Sequence, residues 1–258
     1  MDRRSFVKAS TMGGVAVGMH GVSLETKTHI LTLSFDDGFK KSFFKIADIY
    51  EKYGLHACFN VIASGHLPSF QAVDQWILPE LMGNFDDWNL LKARGHEVMP
   101  HSWQHLNLGR EPIDKAKDLI MRCLDYFADH LRGYDPSSAV FNFPFNSSTP
   151  ELEAFTMSKV RAVRTRGDDI NPIPQTNTAE RLGCSAFGPD NGDAWVDQKI
   201  NSFLAEPGGW LILNLHGLDD EGWGPISTTF LEKLIPRLHT IDKLEILPAG
   251  DVLERTVQ

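Results

Sequence analysis

The stretch from residue 30 to residue 38 reads ILTLSFDDG, and it indicates the fold class of the chain. Six residues of β-strand composition end abruptly at two aspartates and a glycine that permits a tight turn. A helical pattern follows over residues 41–53 and closes at Gly54, a residue suited to the left-handed position after a helix. A buried strand, a polar turn and a covering helix form the repeating unit of a parallel α/β fold.

The same alternation of strands and helices continues along the rest of the chain. Further strands are predicted over residues 55–63, 97–100, 139–145, 161–165, 181–187, 210–215 and 244–247, and further helices over residues 85–94, 112–131, 151–158, 194–204 and 228–238. About seven or eight parallel strands predict a closed or nearly closed barrel in a single domain.

Composition excludes several classes of protein. The chain has 258 residues, of which 42% are hydrophobic, so it is long and apolar enough to bury a sizeable core. Its net charge of −9 and the absence of a Lys/Arg-rich stretch argue against nucleic-acid binding, and no apolar run is long enough to span a membrane. The three cysteines are widely separated and form no CxxC motif, so neither a disulfide framework nor a thiolate zinc site is expected.

The first residues resemble a bacterial twin-arginine export signal. Arg3 and Arg4 precede a weakly apolar, Gly-rich stretch over residues 12–22, although this stretch is short and has no clear cleavage site. We therefore expect residues 1–27 to be an export signal and linker, and residues 28–258 to be the folded domain. The protein would be periplasmic or extracellular, and it would stay in the cytoplasm if the signal does not function.

Ionisable residues stand where predicted strands end. Asp36 and Asp37 follow the first strand, His101 and His105 follow the third, and His216 ends a late, almost wholly apolar strand. In parallel α/β barrels the carboxyl ends of the strands form the active-site face. These five side chains are therefore expected to converge at one mouth of the barrel.

The sequence HSWQH over residues 101–105 favours a metal site. Two histidines four residues apart lie on one face of a helical turn and can share an ion, while a carboxylate from another strand completes a three-ligand set. Such a set suits Zn²⁺, Co²⁺ or Fe²⁺. Surface histidines, and an aspartate that only caps the first helix, are the alternative interpretations.

Four motifs occur in an order that resembles the polysaccharide deacetylase (NodB-homology, carbohydrate esterase family 4-like) family. They are TLSFDDG over residues 32–38, HSWQH over 101–105, NFPF over 142–145 and LNLH over 213–216. The resemblance implies an α/β fold, a distorted (β/α)7-8 barrel, with residues 28–258 as the catalytic domain. It also implies a metal-dependent hydrolase that removes N- or O-acetyl groups from an acetylated polysaccharide or peptidoglycan.

The resemblance further implies a role for each residue of the predicted site. Asp37, His101 and His105 would hold one divalent metal ion, Zn²⁺ in the first instance and Co²⁺ as the alternative. Asp36 would be the general base acting on the attacking water, and His216 would protonate the leaving amine or alkoxide.

Other residues are expected on the substrate side of the site. The backbone N–H of Phe145 would stabilise the oxyanion. Asn142 and Arg164 are also candidate oxyanion- or substrate-contacting residues. Trp103 and Trp223 are candidate sugar-stacking platforms, although buried packing would explain them equally well.

Two features depart from the family pattern. The third motif of the family usually begins with an arginine that pairs with the catalytic aspartate, and Asn142 stands there in this chain. Arg164 or Arg166 could substitute for it, although surface charge is the simpler interpretation of both. The aspartate of the fourth motif has no clear match, and its candidates are Asp169, Asp190 and Asp193.

Two other functions stay open at this stage. One is hydrolysis of a small cyclic amide or ureide by an allantoinase-like relative, which a cytoplasmic location would favour. The other is a non-catalytic metal- or glycan-binding module, against which the presence of both Asp36 and His216 argues.

Overall fold

A computed structural model describes residues 27–71, 75–176 and 178–255, in which there are nine strands and seven α-helices. The strands are β1 His29–Phe35, β2 Cys58–Val61, β3 Glu97–Pro100, β4 Val140–Asn142, β5 Ala162–Arg166, β6 Ile170–Asn171, β7 Glu180–Ala186, β8 Gly209–Leu215 and β9 Leu244–Ile246. The helices are α1 Lys40–Glu51, α2 Phe85–Ala93, α3 Ile113–His130, α4 Pro150–Met157, α5 Asp193–Phe203, α6 Thr228–His239 and α7 Ala249–Glu254. The predicted export segment lies outside the described residues, apart from residue 27.

The strands form one nearly closed barrel. The order is β3-β2-β1-β8-β7-β5-β4, every neighbouring pair along it is parallel, β9 adds to β1, and β6 pairs antiparallel with β8. At the seam between β3 and β4, side chains bridge the gap: Asn142 Nδ2 donates to the Pro100 carbonyl at 3.4 Å, and the Val140 N–H lies 3.5 Å from Met99 Sδ. The predicted α/β barrel is therefore confirmed.

Period-two alternation along β1 decides what faces the barrel interior. Leu31, Leu33 and Phe35 belong to the large apolar core between the strands and the helices, whereas Ile30 belongs to the smaller cluster inside the barrel. Because Asp36 is in phase with Ile30, the alternation directs it inward at the carboxyl end of the strand.

Some predicted elements differ from the observed ones. The strand predicted over residues 139–145 ends at Asn142, and a 3₁₀ turn follows at Pro144–Asn146, because Pro144 and the left-handed backbone of Phe145 (φ 57°) end the extended chain. Strand β6 and helix α7 are too short to have left a clear sequence pattern. Among the described residues, no helix has the length and apolar character that crossing a bilayer requires.

Glu97, the first residue of β3, anchors helix α7 across the amino ends of β2 and β3. Its carboxylate accepts the backbone N–H groups of Ala249 at 3.2 Å and Gly250 at 2.5 Å. The thiol of Cys58 donates to the same side chain at 2.9 Å. One carboxylate therefore satisfies two of the N–H groups that the start of a helix leaves open.

Replacing Glu97 with alanine should lower the free energy of unfolding by about 2–4 kcal/mol, because two backbone donors lose their acceptor. Urea denaturation measures the loss. The control is Glu245→Ala, which removes a more exposed ion pair with Arg255 and should cost less than about 1 kcal/mol. Equal losses in the two variants would contradict the anchoring role of Glu97.

Candidate metal centre and active-site cleft

The five ionisable residues predicted at the strand ends line one cleft. It has a volume of about 1350 Å³, and Asp36, Asp37, His101, His105 and His216 all contribute to its wall. Three different strand ends supply these side chains, so the barrel itself brings them together. The predicted convergence at the carboxyl ends of the strands is confirmed by their positions.

Asp37, His101 and His105 form a buried cluster whose candidate ligand atoms all lie within 4.8 Å of one another. Oδ1 of Asp37 is 3.5 Å from Nε2 of His101 and 3.3 Å from Nε2 of His105. Among the residues that the structure describes, this buried oxygen has no hydrogen-bond partner. Since an isolated buried carboxylate oxygen is unfavourable, a cation shared with the two imidazoles fits the cluster.

The ring of His101 is oriented by the backbone of β4. Its Nδ1 atom lies 2.8 Å from the carbonyl oxygen of Asn142, which can only accept a hydrogen bond. Nδ1 therefore carries the proton, and the lone pair of Nε2 is left for a metal ion. Ligating histidines are commonly held in this way by a carbonyl group.

The backbone around the cluster takes left-handed conformations at non-glycine residues. Asp37 has φ 82° and Ser102 has φ 68°. The helical turn predicted for residues 101–105 is wrong, because the backbone of Ser102 turns the chain out of a helical path. A loop brings His101 and His105 together instead, and it is held by hydrogen bonds from the Ala63 N–H to the Ser102 carbonyl and from the Ser64 N–H to the Trp103 carbonyl.

The groups around Asp37 favour the charged form of its carboxyl. Burial on its own raises the pKa of this carboxyl, but the imidazoles of His105, His101 and His216 outweigh burial and hold the pKa below its ordinary value. The carboxylate is therefore the stable form at neutral pH, which is the form that binds a cation.

Asp36 belongs to a closed ring of buried hydrogen bonds. Its Oδ2 accepts from Nη2 of Arg164 at 2.5 Å, and its Oδ1 accepts from Nδ2 of Asn60 at 2.7 Å. Asn142 closes the ring, because its Oδ1 accepts from Nε of Arg164 at 2.7 Å and its Nδ2 donates to Oδ1 of Asn60 at 2.7 Å. All four residues are no more than 2% exposed.

The ring changes the interpretation of Asn142 and Arg164. Neither residue is among those that line the cleft, so they lie behind Asp36 and away from the substrate side. Arg164 is also not a surface charge. It stands beside Asn142 in the β4–β5 register, and its guanidinium reaches the carboxylate that the family's usual arginine pairs with. Arg166 is the exposed one of the two candidates.

One sequence signal could have placed Arg164 inside the barrel. Ala162 belongs to the cluster inside the barrel, and Val163 belongs to the core beneath the helices. Period two then directs residue 164 inward. A charged residue at an inward-facing strand position needs a partner of opposite charge, and that requirement points to the two aspartates.

His216 lies in the cleft close enough to Asp37 to contribute to the lowered pKa of that carboxyl. Its ring packs edge-on against Trp223 at 5.7 Å between centroids, and its buried Nδ1 has no hydrogen-bond partner in the described ranges. Asp169 bonds to Ser185 and Lys199 instead. No contact joins His216 to any of the three aspartates proposed for the fourth motif, among the residues that the structure describes.

Only one of the two predicted aromatic platforms lies at the cleft. Trp223 lines the cleft, whereas Trp103 packs against Tyr126 and beneath the guanidinium of Arg122, 4.5 Å from its ring centre, and does not line it. Phe145 lies at the cleft with its ring 4.6 Å from the ring of His105. Trp76 also lines the cleft, and no motif had singled it out.

The fold, the site and the family pattern agree. The pattern of the polysaccharide deacetylase family matches residues 23–158, just over half of the chain. The chain therefore belongs to the polysaccharide deacetylase family. A comparison with curated protein sequences found no match.

Solved structures share the barrel at low sequence identity. A provisionally named polysaccharide deacetylase from Mycobacterium smegmatis has 13% identity and a TM-score of 0.68, with 90% of this chain and 91% of that chain covered. The peptidoglycan deacetylase PdaC from Bacillus subtilis has 18% identity and a TM-score of 0.54, covering 89% and 91%. A CE4 family pseudoenzyme from Bacillus anthracis has 13% identity and a TM-score of 0.56, covering 89% and 66%.

Replacing Arg164 with methionine should lower the free energy of unfolding by about 3–5 kcal/mol, because it leaves Asp36 as an unpaired buried charge. Urea denaturation checks the loss. In the double variant Asp36→Asn/Arg164→Met the loss should be smaller, because no lone charge is left behind.

The matched control is Arg166→Met, two residues further along the same strand with an exposed side chain. It should change stability by no more than about 0.5 kcal/mol. If Arg164→Met proved equally harmless, the buried ion pair would not be an essential part of the barrel.

Proposed function

We propose that the protein is a metal-dependent deacetylase that hydrolyses N- or O-acetyl groups of a polysaccharide or peptidoglycan. The observation that carries the proposal is the unpartnered Asp37 oxygen facing two buried histidines, in the cleft that also holds Asp36 and His216. Membership of the polysaccharide deacetylase family supports the same reaction.

Asp37, His101 and His105 would hold one divalent ion. Two imidazole nitrogens and a carboxylate oxygen suit Zn²⁺ or Co²⁺, with Zn²⁺ as the first expectation. A bound divalent ion supplies Lewis-acid chemistry, which polarises the acyl carbonyl and acidifies water. The hydrogen bond from His101 to the Asn142 carbonyl would keep that ligand in the required tautomer.

Asp36 would accept the proton of the attacking water. Arg164 and Asn60 hold one carboxylate oxygen each, so the base is fixed in position. Asp36 also lies beside the cluster, with Oδ2 3.6 Å from Nε2 of His101. A proton acceptor is therefore available next to the site where the acyl carbon is attacked.

His216 and Phe145 would complete the reaction. His216 stands across the cleft on a different strand end and would donate a proton to the leaving amine or alkoxide as the tetrahedral intermediate collapses. The backbone N–H of Phe145 would donate to the oxyanion, a type of contact worth about 3–4 kcal/mol.

The size of the cleft favours a polymer over a small cyclic amide. Sites for small ligands have volumes of about 300–1,000 Å³, and this cleft is larger. A non-catalytic module is the other alternative, since a pseudoenzyme from Bacillus anthracis shares the fold. Export through residues 1–27, with residues 28–258 as the catalytic domain, would bring the enzyme to an extracytoplasmic glycan.

Acetate release from a panel of N- and O-acetylated glycans tests the function. Activity should disappear on chelation and return with Zn²⁺ or Co²⁺. The double variant His101→Ala/His105→Ala should lose both activity and bound metal, as measured by elemental analysis. Metal content equal to that of the wild type in this variant would contradict the proposed set of ligands.

Asp36→Asn and His216→Ala should each lower kcat by about 10²-fold or more, because each removes a proton-transfer group. Metal content should stay close to one ion per chain in both variants, which separates them from the ligand variants. If Asp36→Asn instead emptied the site, the assignments of Asp36 as base and Asp37 as ligand would have to be exchanged.

A further inference from the structure

Two arginines in the cleft have no part in the proposed reaction. Arg110 and Arg166 are exposed and line the cleft, and no ion pair joins either of them to another described residue. Arg181 lines the cleft too, but its Nε donates to Glu153 at 2.8 Å. Arg110 and Arg166 are therefore cations directed at solvent within the substrate cleft.

The two arginines belong to one wall of the cleft. Gly109, next to Arg110, packs so closely on Ser147 and Ser148 that a Cβ atom there would lie 2.6 Å from the Ser147 hydroxyl. Ser148 in turn lies 2.8 Å from the hydroxyl of Thr165, which precedes Arg166. The segment 147–148 thus connects the loop after β3 to the end of β5, with one arginine on either side. We call this surface the arginine wall.

Among the described residues, no carboxylate forms an ion pair with either arginine of the arginine wall. Glu153 is occupied by Arg181 and by the hydroxyl of Ser148, and Asp36 is paired with Arg164. Glu111, beside Arg110, pairs with Lys115. Asp168, near Arg166, forms no ion pair with either arginine in the described part of the chain. Within the described part of the chain, a protein of net charge −9 therefore presents two arginines without an ion-pair partner at its substrate cleft.

We propose that the arginine wall binds carboxylate groups of the substrate, so that the substrate is an acetylated acidic polysaccharide rather than a neutral one. A guanidinium donates two parallel hydrogen bonds to a carboxylate, so two exposed guanidinium groups on one wall of the cleft suit an acidic sugar polymer. The inference rests on the proposed deacetylase function. The carboxylate comes either from C6 of a uronic acid or from the lactyl ether of muramic acid.

Matched oligosaccharides test the inference. The probes are N-acetylchitotetraose, the same tetraose with carboxylates at C6, and a tetrasaccharide with 3-O-lactyl groups on alternate residues. The wild-type enzyme should favour at least one of the two acidic probes over the neutral tetraose by about tenfold in kcat/KM, mainly through KM. Raising ionic strength from about 0.02 M to about 0.5 M should reduce this preference, because the arginines are exposed. Which acidic probe is preferred identifies the source of the carboxylate.

The double variant Arg110→Gln/Arg166→Gln should lose most of the preference for the acidic probe. The control is Arg132→Gln, which removes one positive charge from an exposed position outside the cleft and should leave the preference unchanged. Equal kcat/KM for all three probes in the wild type, or a preference that survives in the double variant, would overturn the inference and leave the deacetylase function standing.

Titration calorimetry separates failure of the inference from failure of the function. The Asp36→Asn variant, in which turnover is blocked, is titrated with the neutral and acidic tetrasaccharides. If no probe releases acetate with the wild type, the proposed function fails, yet tighter binding of an acidic probe that needs Arg110 and Arg166 would still support the arginine wall. Equal affinity for acidic and neutral probes would contradict it.

Discussion

The buried ion pair between Asp36 and Arg164 is the interaction on which the site depends. Two charges taken out of water cost several kcal/mol each, and their attraction offsets this cost only when the remaining polar atoms are satisfied. Asn60 and Asn142 provide that satisfaction, because each bonds to one member of the pair and to the other amide. Removing any one of the four residues leaves a buried polar group without its partner.

The ring also closes the barrel where the sheet does not. Ladder pairing ends at β3 on one side and β4 on the other, and the bond between Asn60 on β2 and Asn142 on β4 crosses this seam inside the barrel. Asn142 serves both parts of the site, since its side chain belongs to the ring and its carbonyl accepts the proton of His101. The position of the proposed base is thereby coupled to the orientation of a proposed ligand.

Much of this arrangement could be predicted from local patterns. Alternation of apolar strands and amphipathic helices indicates the barrel, and polar residues immediately after strands indicate its active face, because both depend on neighbours in sequence. The position of Arg164 depends on which strand lies beside β4, and that is a tertiary fact. The helical turn at His101 was wrong for a related reason: contacts of the loop with residues 63 and 64 outweigh the local preference at Ser102. Trp103 shows the same limit, since adjacency to a motif says nothing about which way a side chain points.

The register between Asn142 and Arg164 has an evolutionary consequence. An arginine at position 142 or at position 164 could pair with the Asp36 carboxylate, yet the barrel interior has room for only one such guanidinium. If the arginine moved from one position to the other by single substitutions, an intermediate sequence would have two arginines there or none. Both intermediates would be destabilised, because the barrel interior is dry. We therefore expect the effects of substitutions at the two positions to depend on each other. Loss of the customary arginine then leaves the carboxylate paired, provided that the neighbouring strand supplies the charge.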